Sequence, residues 1–273
     1  MSNIQSSSCQ YYYETRMKIQ YLSDLHLEYQ DNRDFLRDQH LKATGDILIL
    51  AGDTFYLGGD LSESFFLRWA SDHYEHVILI PGNHEFYDGF DLAGNGPSWQ
   101  MRIMPNVRYC YNKVVSFGDV DIILSTLWSE IPKENERAIG YFLTDFHRIM
   151  YNGHQLTPED YNREHHQCLR FVENAIDRSR ARHKVVVTHH VPTRLCTPPK
   201  LRKIRNGSLQ HAFTVDLTEY IQATPVDYWI YGHSHVNIDR NIGNTLVTSN
   251  QLGYISHEEY TWNKFYFGKT IRV

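Results

Sequence analysis

The stretch IYGHSHVNID (230–239) places two histidines, His233 and His235, directly behind a glycine at the end of an apolar run. Four other apolar runs finish in the same way. SDLHLE supplies Asp24 and His26, and AGDTF supplies Asp53. PGNHEFY supplies Asn83 and His84, and THHVP supplies His189 and His190. Carboxylate, carboxamide oxygen and imidazole together suit Zn, Mn or Fe(II), and a set without cysteine argues against a structural zinc site. Asp24, His26, Asp53, Asn83, His189, His233 and His235 are too many ligands for one ion with open positions. They are enough for two ions that share a bridging carboxylate. Such a pair, ~3.5–4 Å across, clamps the attacking and leaving oxygens of an in-line phosphoryl displacement. A water bridging the two ions loses its proton near neutral pH and supplies the nucleophile.

Each fragment alone has an ordinary explanation. Gly-Asp-Thr at Asp53 is good helix-capping chemistry, and Asn83 after Gly82 makes a turn. His233 and His235 alone would pass as surface residues. The ordinary explanations give no reason for five such strand ends in one chain.

The runs that carry these residues are short and rich in β-branched or aromatic side chains: 17–23, 46–52, 76–82, 120–126, 184–190, 226–232 and 244–250. They read as strands buried on both faces. Helical patterns fall between them at about 61–73, 158–182 and 209–221. The middle one has the clearest start: Thr157 as N-cap, Pro158 at the first helical position, then Glu159 and Asp160. Leu169, Val172 and Ile176 recur at helical spacing and should face the core. Alternating strands and helices mean an α/β fold. In α/β sheets ligands gather at the carboxyl ends of the strands, so residues ~200 positions apart would converge there. Two long connections remain, 84–106 and 127–157. In an extended chain His233 and His235 would share one face about 7 Å apart and could address two different ions.

The ordered set Asp24-x-His26, Gly52-Asp53, Gly82-Asn83-His84-Glu85, His189 and Gly232-His233-x-His235 resembles the calcineurin-like metallophosphoesterase superfamily, over about residues 17–250. The resemblance implies a four-layer α/β/β/α sandwich with two mixed β-sheets. It implies dinuclear-metal-dependent hydrolysis of a phosphoester, as a phosphodiesterase or phosphatase, through a metal-bridging hydroxide. Asp24, His26 and His235 would hold one metal, and Asn83, His189 and His233 the other, with Asp53 between them. His84 would be the catalytic residue beside the metals, stabilising the phosphoryl charge or protonating the leaving oxygen, and Glu85 would orient it. At THHVP the family pattern favours His189 as ligand, while His190 could line the pocket. Manganese is the expected metal, with Fe, Zn, Ni or Co also compatible. A non-catalytic scaffold of the same fold and a nuclease are the alternatives. Arginines that protein serine/threonine phosphatases of this superfamily carry around the second and third motifs are absent from GDTFYLGG and IPGNHE.

Composition sets the remaining bounds. The 273 residues carry a net charge of −5, 16 histidines and 19 tyrosines. An acidic balance disfavours a nucleic-acid partner, although the segment 194–205 is basic. A small phosphoester, a nucleotide among the candidates, is the expected substrate. Cys9, Cys110, Cys168 and Cys196 form neither a zinc ribbon nor a compact disulfide framework, which suggests a reduced, cytoplasmic protein. No apolar run reaches the ~20 residues of a membrane span. Residues 1–16 read as a flexible tail, and 17–273 as one domain. Tyr87, Trp99 and Trp128 fall in segments expected near the catalytic edge, where they would stack on an aromatic leaving group or pack in the core. Tyr254 in SNQLGY follows the last strand and is expected near the site.

Overall fold

The computed structural model describes residues 17–39 and 41–273. All seven apolar runs form strands: β1 (Lys18–Leu22), β2 (Ile47–Ala51), β3 (His76–Ile80), β7 (Val120–Leu124), β10 (His183–Val187), β11 (Tyr228–Tyr231) and β13 (Thr245–Ser249). Further strands are β4 (Trp99–Met104), β5 (Val107–Tyr111), β6 (Lys113–Phe117), β12 (Arg240–Ile242) and β14 (Thr270–Arg272), and β8 (Met150–Tyr151) pairs with β9 (His154–Gln155) in a small hairpin. The sequence pattern did not mark β4, β5 and β6. Each mixes charged or polar residues into the strand, and the edge strand β6 alternates half-buried with exposed positions.

Two six-stranded sheets result, in the orders β14-β1-β2-β3-β5-β4 and β12-β13-β11-β10-β7-β6. In each, the four central strands are parallel and the outermost strand on either side is antiparallel. Alternation along the strands builds the layers. Ile47, Ile49 and Ala51 point toward Ile122, Leu124, Val185 and Val187 of the other sheet, forming the central core. Leu48 and Leu50 point the other way, into a cluster with Leu36 of α1 (Gln30–Asp38) and Phe66, Leu67 and Ala70 of α2 (Phe65–His73). On the far side, Ile123, Val186 and Trp229 pack with α5 (Pro158–Arg178) and α7 (Thr218–Ala223). This is the expected α/β/β/α sandwich.

The long connections are partly ordered into elements. Residues 127–157 contain α3 (Glu136–Phe142) and α4 (Asp145–Arg148), and the basic segment contains α6 (Pro199–Lys203). Residues 61–73 split into a 3₁₀ turn (Leu61–Glu63) and α2, separated by the cap Ser64. The helix expected over 209–221 is instead a 3₁₀ segment ending at Ala212, followed by α7. Helix α5 stops at Arg178 rather than 182. Val172 and Ile176 are buried and Leu169 packs partly buried beside them. Cys110, Cys168 and Cys196 are buried free thiols; Cys9 and the expected tail lie outside the described residues. Among the described residues, no helix is long and apolar enough to cross a membrane.

The start of α5 is a complete capping box. Thr157 Oγ1 accepts from the Asp160 amide at 3.2 Å, and Asp160 Oδ2 accepts from the Thr157 amide at 3.1 Å. Replacing Thr157 with Ala should cost about 1 kcal/mol. For a chain of this size that lowers the melting temperature by roughly 2–4 °C, measurable by scanning calorimetry. An unchanged melting temperature would contradict this account of the cap.

Candidate metal centre

Beyond β1, β2, β10 and β11 the chain leaves both sheets on the same side and is stitched together by backbone bonds. The Asp24 amide donates to Gly52 O (3.0 Å), His26 to Asp53 O (2.9 Å), and Gly232 to His189 O (2.9 Å). A single bridge, Ser23 to Gln251, extends the register past the strand ends. In this seam Asp24, His26, Asp53, His233 and His235 all have φ between 47° and 73°. Asp and His tolerate the left-handed region better than most residues, yet each such residue costs of order 1–3 kcal/mol. Such strain persists only where the surroundings over-determine it. The histidines after Gly232 therefore do not continue an extended strand, as their spacing had suggested. Two left-handed turns, not pleating, aim them.

The side chains converge in two groups that share an edge. His26 Nε2 and His235 Nε2 lie 3.0 Å apart, and His235 Nε2 is 3.4 Å from Asp24 Oδ1. His189 Nε2 lies 3.1 Å from Asn83 Oδ1 and 3.3 Å from Asp53 Oδ1. Ligand atoms of Asp24, His26 and His235 fall within 4.8 Å of one another, and so do those of Asp53, His189 and His233. Asp53 faces both groups, because its Oδ2 is 3.9 Å from His26 Nε2. All seven sequence-predicted ligands thus meet in one place, with His84 Nε2 4.0 Å from Asp53 Oδ2.

The far side of each ring shows which nitrogen carries the lone pair. His26 Nδ1 donates to Glu28 (2.9 Å), His235 Nδ1 to Glu259 (2.6 Å) and His189 Nδ1 to Ala51 O (2.9 Å). Those bonds fix the tautomers and leave the Nε2 lone pairs facing inward, the usual support of a metal-binding imidazole. His233 Nε2 meets Ala212 O at 3.3 Å, so its Nδ1 is the free nitrogen. The Asn83 amide nitrogen donates to Asp145 and to the Tyr87 hydroxyl, both at 2.9 Å, which turns Asn83 Oδ1 toward His189. The donor set therefore fits divalent cations on both sides of Asp53.

Charge tells the same story. Burial opposes the ionised form of Asp53, but His189 and His84 outweigh it and hold the carboxyl well below its usual range. Burial likewise opposes a proton on His235 and His189. Asp24 and Glu259 nevertheless raise His235 to about 10, and Asp53 raises His189 to about 9. His233, buried and beside His189, falls to about 3 and stays neutral. The carboxylates Asp24, Asp53 and Glu259 give the pocket a negative charge that a bound cation would compensate.

Glu85 has a different job from the expected one. Its two oxygens accept the amides of Asp53 (2.9 Å), Thr54 (2.8 Å) and Gly82 (2.7 Å) and the Tyr109 hydroxyl (3.1 Å), tying the β2 and β3 turns together. Burial and Asp53 push its carboxyl up to about 7. The carboxylate on the His84 ring is Glu28, 2.8 Å from Nδ1. Burial resists a proton on His84, but Asp53 and Glu28 together raise its pKa. His190 is buried beside His233, its Nε2 3.0 Å from the Tyr161 hydroxyl, outside both ligand groups. Trp99 stacks on Tyr111 and Trp128 is fully buried, so both are core residues. Tyr87 and Tyr254 do reach the site; the Tyr254 hydroxyl is 3.3 Å from His84 Nε2.

The residues that sequence reasoning missed are supports: Glu28, Asp145 and Glu259. Glu28 offered a signal, two positions after His26 in SDLHLE. Asp145 opens the short helix α4 and Glu259 a 3₁₀ turn, and their sequence carries no comparable mark.

The family model described as calcineurin-like phosphoesterase matches residues 17–237. The chain belongs to this family. An uncharacterized protein of Acanthamoeba polyphaga mimivirus is 27% identical to this phosphoesterase, over 90% of this chain and 94% of its own length. Among solved structures, the phosphopantetheinyl hydrolase of Mycobacterium tuberculosis superposes with a TM-score of 0.63 at 18% identity, covering 94% of this chain and 95% of that one. At that identity the likeness is one of fold.

Three glycines leave room for the ligands. A Cβ on Gly82 would strike Asp53 Oδ1 and come within 2.6 Å of His189 Nε2. On Gly232 it would stand 2.7 Å from Asp24 Oδ2, and on Gly52 it would strike the His189 ring. Gly82→Ala should therefore displace Asp53 and His189 without touching the sheets. Metal content by plasma emission should fall at least several-fold while far-UV circular dichroism stays unchanged. A Gly82→Ala protein that binds metal like the wild type would contradict this geometry.

Proposed function

We propose that this phosphoesterase works with two divalent cations, one held by Asp24, His26 and His235, the other by Asn83, His189 and His233, with Asp53 between them. The observation that carries the proposal is the placement of Asp53, with one oxygen turned to each group. Bound there, the cations would lower the pKa of a shared water and stabilise charge on the phosphoryl oxygens. Manganese is the first metal to test, because an oxygen- and histidine-rich site accepts several ions and availability then decides.

His84 is the proton donor to the leaving oxygen. Its Nδ1 is held by Glu28, and its Nε2 faces the cleft beside Tyr254. Glu28 holds the imidazole in one orientation and stabilises its charged form. Support for a small substrate comes from the cleft, where Lys200 is the sole Lys or Arg among the described lining residues. A polyanionic strand would need a track of such cations.

Two measurements test this proposal. Asp53→Asn should reduce turnover of a chromogenic phosphodiester by at least ~10³-fold, in the range seen when a key electrostatic group is removed, and should lower metal content. Full activity in the metal-reconstituted variant would end the dinuclear proposal. In protein loaded to the wild-type metal content, Glu28→Gln should slow esters with alkyl leaving groups by about 10²-fold, the scale of general acid catalysis, and slow p-nitrophenyl esters far less. Equal losses on both would remove Glu28 and His84 from proton transfer. The assay panel should include mononucleotides, oligonucleotides and, in view of the mycobacterial structure's name, a phosphopantetheinyl diester.

A further inference from the structure

The cleft above the histidines has walls that phosphoryl chemistry alone does not need. It encloses about 340 Å³, with Asp53, Asn83, His84, His233 and His235 as its floor. This is the low end of the roughly 300–1,000 Å³ of small-ligand sites, and more room than a bare phosphate fills. Its walls come from five separate segments: Leu143 after α3, Pro198 and Leu201 at α6, Phe213, Val236, and Trp262 near the C-terminus. Phe213 is fixed by stacking on His233, with ring centroids 4.5 Å apart. Trp262 is 54% exposed. With Leu143, Pro198, Leu201, Phe213 and Val236 in the same cleft, this indole is part of a contiguous apolar wall rather than an isolated surface residue.

Several polar groups of the cleft are engaged by one another, while Asp145 Oδ2 stands without a partner. Asp145 holds Asn83 and Tyr87, and Glu259 holds His235 and the Tyr254 amide. Beyond the floor, Leu143, Pro198, Leu201, Phe213, Val236 and Trp262 present a carbon surface, and Lys200 is the one Lys or Arg among the described lining residues.

We infer that the cleft selects phosphoesters bearing an apolar arm, an alkyl chain of several carbons or an aromatic ring, laid against Trp262, Leu201 and Phe213. The inference rests on the phosphoester reading of the floor and adds the substrate class. It is carried by the continuity of an apolar wall with the ligand cluster in a single cleft.

The test uses p-nitrophenyl alkyl phosphodiesters with methyl, butyl and hexyl groups. In parallel, calorimetry measures the binding of methylphosphonate and hexylphosphonate to the metal-loaded protein. Half-burial of five extra methylenes should favour hexyl over methyl by about tenfold or more, in kcat/KM and in binding. Trp262→Ala and Leu201→Ala should each shrink that preference at least threefold, and Trp262→Phe should keep most of it. Equal binding of methylphosphonate and hexylphosphonate by the wild type, with the diesters still turned over, would overturn the inference and leave phosphoester hydrolysis standing. A chain-length preference untouched by both alanine variants would also overturn it. Tighter hexylphosphonate binding without turnover of any diester would uphold the apolar cleft while removing hydrolysis.

Discussion

One buried carboxylate, Asp53, constrains everything at the carboxyl edge of the two sheets. It is 2% exposed, held in a left-handed turn, and faced by imidazoles from both sheets. An ionised carboxylate out of water is costly unless compensated. The compensation explains much of the surrounding sequence. Its backbone amide is tied to Glu85, and one side-chain oxygen accepts the His84 amide at 2.9 Å. Gly82 lacks a Cβ because Asp53 and His189 occupy that space.

Around this centre a ring of further carboxylates acts at one remove. Glu28 orients His26 and His84, Glu259 orients His235, and Asp145 orients Asn83. Each accepts from a group that could otherwise rotate or change tautomer. Packing then makes the arrangement stiff. Because the four central strands of each sheet are parallel, their carboxyl ends lie side by side, and the short bonds between turns leave little freedom. The strain of five left-handed Asp and His residues is spread over a frame that would have to move as a whole to release it.

Much of this was legible in the sequence, for a physical reason. Strands buried on both faces are continuous apolar runs, so seven of the eight central ones stood out, all but β5 with its Arg108, and polar residues at their ends were conspicuous by contrast. Edge strands such as β6 carry polar residues on their open side and look like loops. The direction of a side chain after a strand was not legible. His233 and His235 seemed to need an extended chain, and the structure uses left-handed turns that no periodicity announces. Glu85 was misassigned for a related reason. Adjacency to His84 in sequence says nothing about which way a carboxylate points once the chain turns. Glu28 reaches His84, and Glu259 reaches His235, from separate segments, and only the fold brings them there.

The central claim is that Asp53 sits between two cations, and anomalous diffraction tests it most directly. Crystals grown with manganese, measured near its absorption edge, should show two peaks about 3.5–4 Å apart on either side of the Asp53 carboxylate, the spacing of two-metal phosphoryl-transfer sites. One lies by Asp24, His26 and His235, and the other by Asn83, His189 and His233. A single peak, or two peaks that do not share Asp53, would contradict the account.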